Sequence, residues 1–158
     1  MVVGLTFFAG CGRSSDDRVG GRAKSPVVDS TKVLIIDEPQ GALGVTELRE
    51  QAKDEDDVVL IGRIGGVVEP RVEGRSAFAV VDASIELCDG GVCACCKDKV
   101  CDVTALVKVV DTHGQLFKTD ARELLNVKEN DLVVVPGKAQ RDDAGNFTTL
   151  ASGVYIRR

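Results

Sequence analysis

Five cysteines, Cys88, Cys93, Cys95, Cys96 and Cys101, fall within fourteen positions of a 158-residue chain. Thiols at this density support two kinds of chemistry. As thiolates, a Cys-x-Cys-Cys centre flanked by Cys88 and Cys101 can wrap a soft ion such as Cu(I) or build a tetrahedral Zn site. Once oxidised, the same residues become disulfides that brace a loop too polar to fold alone. The spacing is not the doubled Cys-x2-Cys of a zinc ribbon. Adjacent Cys95 and Cys96 are poor partners for each other, so bonds to Cys88, Cys93 or Cys101 are preferred. An odd number leaves one thiol free or shared with another molecule. Cys93 and Cys96 also have the spacing of a redox pair, without the strand-then-helix setting such a pair uses.

The other reactive side chains are sparse. His113 is the single histidine, and its turn, Asp111-Thr-His-Gly114, could swing it toward the cysteines as a further ligand or simply expose it. With one histidine there is no nucleophile and base in tandem, and no glycine-rich phosphate cradle stands between a strand and a helix. The chain is therefore not expected to be an enzyme. Asp54-Glu-Asp-Asp57 has carboxylates enough for a cation but not the fixed geometry, and reads as a solvated loop. Arg63, Arg75, Phe78, Lys108 and Lys118 could make a modest ligand face, although Phe78 is expected in the core first, as phenylalanine usually is. Against that face stands the balance of 20 basic and 25 acidic residues, a net charge of −5, which disfavours a phosphate backbone as partner.

The N-terminus carries an address. Val2, Val3, Leu5, Phe7, Phe8 and Ala9 are apolar, and the chain turns abruptly polar at Gly12-Arg-Ser-Ser-Asp-Asp17. This is the anatomy of an export signal's end. Ala9-Gly10-Cys11 resembles the lipobox of bacterial lipoproteins, in which small residues precede a cysteine that is lipidated and becomes the new N-terminus. Phe8 departs from the aliphatic residue usual in that motif, and no Lys or Arg precedes the apolar run, so a basic segment is expected upstream of Met1. The resemblance implies acyl chains on Cys11, a membrane partner reached through them, and a soluble remainder in the cell envelope, periplasm-facing or otherwise extracytoplasmic. That oxidising compartment favours disulfides over metal for the five clustered cysteines.

The elements that must position these residues follow from the apolar pattern. Residues 1–11 form the signal remnant and lipidation site, and 12–44 a polar tether whose end could be an extra strand or a packed arm at Val27-Val28 and Val33-Leu-Ile-Ile36. The domain is expected over 45–158, with the cysteine-rich insertion at 87–102. Thr46 is placed to cap a helix over Glu47–Lys53 that buries Leu48 and Ala52. Strands are predicted from Val58 to Gly66, Ser76 to Asp82 and Ala105 to Val110. After a short limb at Leu116–Thr119, Thr119 or Asp120 caps a two-turn helix over Ala121–Asn126. Leu132–Val135 and Lys138–Arg141 form a strand bent at Pro136-Gly137, and a hairpin loop at Asp142–Asn146 leads into a last strand from Phe147 to Ile156. No strand-helix-strand unit is long enough for a parallel crossover, which predicts a mainly β antiparallel barrel or sandwich.

From Val58 to Ile156 this order resembles the OB-fold, a five-stranded barrel with its helix between strands three and four. The resemblance rests on the first strand with Gly62, on Phe78-Ala-Val-Val-Asp82, and on the Lys138–Asn146 hairpin. It implies a loose binding role and no particular ligand. The expectation is a lipid-anchored OB module of the cell envelope with a disulfide-braced loop, binding an envelope ligand or protein and needing no cofactor. The alternative is a thiolate protein holding Zn or Cu on the cysteine cluster, and a weaker one is a nucleic-acid-binding OB protein. For the last, bases need aromatic platforms, and the chain has five Phe, one Tyr and no Trp.

Overall fold

The computed structural model describes residues 29–85 and 100–158. The expected signal segment with Cys11, the expected tether through residue 28, and Cys88, Cys93, Cys95 and Cys96 lie outside the described residues. Strands β1 (Asp57–Ile64), β2 (Ala77–Asp82), β3 (Thr104–Val109), β4 (Leu132–Arg141), β5 (Phe147–Ala151) and β6 (Tyr155–Arg157) alternate with helices α1 (Val45–Gln51), α2 (Val100–Val103) and α3 (Ala121–Leu125). The sheet runs β1-β2-β3-β5-β4 and closes through β1–β4, with β6 as an addition outside the ring. This is an OB-like barrel with α3 between strands three and four, as the sequence predicts. Four of its junctions are antiparallel, and the fifth, β3 with β5, is parallel.

Strand alternation makes the core. Leu60 and Ile64 of β1, Phe78 and Val80 of β2, Val107 and Val109 of β3, Val133 and Val135 of β4, and Phe147 of β5 all point inward and are buried together. Leu124 and Leu125 of α3 join them. Phe78 is thereby removed from the expected ligand face: its parity matches Val80, and its ring has no exposed surface. Gly62 stands where β1 crosses β2 closely, since a Cβ there would lie 3.0 Å from both Val80 Cβ and the Val81 carbonyl oxygen.

Two expected boundaries change. The last strand divides in two, because β4 changes partner along its length. Its first residues, Leu132–Val134, pair with β6, and Gly137–Arg141 pair with β5. Pro136, which has no N–H to give a ladder, falls in the gap between those two pairings. The N-terminal segment settles as an arm. After a 3₁₀ turn at Ser30–Lys32 it makes one bridge, Leu34 to Val154, buries Val33, and lays Ile35 against Gly153, where a Cβ would clash with that side chain at 2.7 Å. Farther on, Glu38 pairs with Arg157 of β6.

Candidate binding face

The outward residues of β2, β3 and β5 form one surface. Register aligns Ala79 with Leu106 and Leu106 with Thr148, and aligns Ala77 with Lys108 and Lys108 with Leu150. Small alanines on β2 keep this face low, and the Asp142–Asn146 loop rises beside it. Between them lies a groove of about 330 Å³ floored by Ala79, Leu106 and Thr148 and edged by Lys108, Asp142, Asn146 and Arg49.

Both ends of that edge are held from α1. The half-buried Arg49 donates from Nη1 to the Thr104 carbonyl at 3.3 Å and from Nη2 to the Gly145 carbonyl at 3.2 Å, joining β3 to the hairpin loop. Arg141 reaches back from the end of β4. Its Nε and Nη2 donate to the Ala52 carbonyl at 3.2 and 3.1 Å and Nη2 also donates to the Arg49 carbonyl, satisfying carbonyls that the end of α1 leaves without partners. The same guanidinium lies 5.5 Å from the centre of the Phe147 ring. Within the loop, Asp142 accepts from the Asn146 backbone at 2.8 Å and from its side-chain amide at 2.7 Å. The Asn146 hydrogen bonds hold the Asp142 carboxyl below the usual carboxylate range.

The start of α1 is fixed from β2. The helix begins at Val45 with Gly44 as its N-cap, and Thr46 does not cap it. Instead the Thr46 amide donates to Asp82 Oδ2 at 2.9 Å, while Asp82 Oδ1 accepts from the Ser84 amide at 3.0 Å and its hydroxyl at 2.7 Å. Asp82 is 7% exposed. Burial opposes its charge, but the bonds from Thr46 and Ser84 outweigh that cost and keep its carboxyl below the ordinary range. Gly44 is required here, since a Cβ would stand 2.7 Å from Asp82 Oδ2.

The expected basic residues do not converge. Lys108 alone borders the groove. Arg63 faces outward on β1, two strands away, and gives Nη1 to the Asn130 carbonyl at 3.1 Å. Arg75 and Lys118 flank the contact between the Ser76 amide and the Phe117 carbonyl at 3.2 Å. Lys118 opens on a different hollow, where Arg71 and Arg122 are interleaved with Glu69, Glu73, Asp120 and Glu123. With four carboxylates against three cations, that surface is mixed in charge, not basic. His113 stays exposed in its turn, with its amide on Asp111 Oδ1 at 2.8 Å. It is at the far end of β3 from the backbone of Cys101 in α2, about 20 Å along a six-residue strand. In the acidic run, Asp54 accepts from the Arg141 amide, Asp56 from the Lys53 amide, and Asp57 pairs with Lys138. Among the described residues no cluster of three or more His, Cys, Asp or Glu side chains is arranged to hold a metal ion. Nor is any described helix long and apolar enough to cross a membrane.

Arg49, Arg141 and Asp82 escaped the sequence reading. A helix arginine or one at a strand end usually serves the solvated face, and an aspartate ending a strand usually opens a turn, as Asp82 does with Ser84; the partners that tie these residues to other elements lie 36 to 96 positions away. Compared with known proteins, the chain matches no family model and no curated protein.

Proposed function

We propose that this protein is a lipid-anchored binding module of the cell envelope, with Cys11 as the anchor and the β2–β3–β5 groove as the ligand face. One observation carries the binding role. Arg49 ties α1 to β3 and the hairpin loop at the edge of one groove, and Arg141 ties the end of β4 back to α1 beside it. Preorganised walls lower the ordering cost of a ligand. The floor is small and neutral, the edge sets Lys108 and Arg49 against Asp142, and the outward faces of β2 and β3 carry no aromatic ring among the described residues. Such a surface suits a neutral polar ligand or a protein segment better than stacked bases.

The anchor reading rests on Ala9-Gly10-Cys11 and the polar stretch after it. Seventeen residues separate Cys11 from Asp29, where the described chain begins, and such a length can reach at most about 60 Å. A barrel on that leash stays within reach of the bilayer it is fixed to. Changing Cys11→Ser should leave the barrel folded and move the protein from the membrane fraction to the soluble fraction of an exporting cell. Unchanged membrane association would overturn the anchor. On the exported protein, a thiol count with metal analysis separates the two chemistries of the clustered cysteines. Loss of four thiols without metal supports a brace, and retained zinc or copper with reduced thiols moves the function to the insertion.

A further inference from the structure

A second cavity lies on another part of the barrel, where the N-terminal arm meets the turn after β3. It measures about 440 Å³, within the size range of small-molecule sites. Val33, Val110 and Phe117 supply its apolar surface, Val33 from the arm and the other two from the segment joining β3 to α3. Val33 is buried and Phe117 packs against the core, so this lining is anchored.

The rim adds charge in a defined position. Asp29 accepts from the Thr31 amide at 3.1 Å and the Thr31 hydroxyl at 2.6 Å, both at Oδ1. Asp111 accepts from the His113 amide at 2.8 Å and the Gln115 amide at 2.9 Å, again both at Oδ1. Each turn is therefore built with one carboxylate oxygen, and each Oδ2 has no hydrogen-bond partner among the described residues. Those local bonds also hold both carboxyls below their usual range, so they are ionised at neutral pH. Lys32 is the cation beside them and is exposed to solvent. Two carboxylates against one lysine leave the rim negative over an apolar floor.

We propose that this cavity is a ligand site separate from the β2–β3–β5 groove, and that it takes a small organic cation. The compact apolar body sits on Val33, Val110 and Phe117, and the ammonium turns outward to the Oδ2 atoms of Asp29 and Asp111. Apolar burial supplies the attraction, and the charge selects amine over acid. One wall is the arm that leads from the tether, so an occupant also holds the arm against the barrel.

Phenethylamine is a suitable probe, titrated into the ¹⁵N-labelled full chain while amide shifts are followed. Shifts concentrated at Val33, Val110, Thr112 and Ser152 are expected. 3-Phenylpropionate, with a similar body and the opposite charge, should bind about tenfold more weakly, as expected for exchanging attraction for repulsion at a partly exposed site. The Asp29→Asn/Asp111→Asn double variant keeps an Oδ1 acceptor for every turn bond and removes only the charge. It should retain the rest of the amide spectrum and lose about fivefold in amine affinity, the scale of exposed ion pairs. Absence of cavity shifts, equal binding of the carboxylate, or unchanged affinity in the double variant would each overturn the proposal. Should the double variant unfold, the amine and acid comparison on the native chain decides alone.

Discussion

Helices α1 and α3 both close the barrel, yet they are held in opposite ways. Most of what fixes α3 is beside it in the chain: Asp120 accepts from the Arg122 amide at 2.8 Å, Asn126 ends the helix in the left-handed region at φ 53°, and Leu124 and Leu125 point into the core, with one remote bond, from the Ala121 amide to the Arg75 carbonyl at 3.2 Å. For α1 the fixing groups are mostly remote. Its first turn is held by Asp82 of β2, its last carbonyls by Arg141 of β4, and its own Arg49 is used on β3 and the hairpin loop. Only the Glu47 carboxylate, accepting from the Gly44 amide at 3.2 Å, is local. A helix of seven or five residues has too few internal bonds to stand alone. The difference shows that α1 is a tertiary clamp, joining the root of the insertion to the edge of the groove, while α3 is a plug.

That contrast can be broken experimentally. Asp82→Ala removes a buried charged acceptor with three bonds and should cost about 3 kcal/mol in urea unfolding. Asp120→Ala, an exposed cap of ordinary kind, should cost about 1 kcal/mol. Equal losses would mean that the two helices are held alike. Arg141→Met keeps the aliphatic stem but frees the α1 carbonyls, for an expected loss of about 2 kcal/mol. It should also speed amide hydrogen exchange in α1 and leave α3 unchanged; exchange that rises equally in both would dissolve the distinction.

The smallest effect is in acid. Because the folded Asp82 carboxyl titrates below its unfolded value, near 3.9, the folded state binds fewer protons there. Its contribution is present above that value and fades as pH falls through the lower folded value. Asp29, Asp111 and Asp142 shift in the same direction, so the informative quantity is a difference. Below about pH 4, the stability gap between the native chain and Asp82→Asn should narrow. A gap that stays constant down to pH 2 would show that Asp82 contributes no proton linkage.

The same contrast explains what could be read in advance. Strand alternation, the turn at Asp111–Gly114, the hairpin loop at Asp142–Asn146 and the Asp120 cap are written in residues no more than a few positions apart. Phe78 had its answer in the same pattern, since it shares parity with Val80, but a phenylalanine on a strand that also offers a ligand face satisfies either role. Lys108 was recognisable as an outward cation on β3. The groove around it was not, because Arg49 comes from a helix 55 positions before Thr104 and 96 before Gly145.

By itself, then, the amino-acid order determined the mainly β character, the helix between strands three and four with a cap at Thr119 or Asp120, and the hairpin beside the groove. These depend on side-chain periodicity and on hydrogen bonds that close within one turn. Tertiary structure alone decided the parallel β3–β5 junction, the exchange of partners along β4, the remote carboxylate that starts α1, and the scattering of the basic residues over separate surfaces. Each of those requires chain segments tens of residues apart to meet, and the burial that brings them together is set by the closed barrel as a whole, with no local signal to announce it.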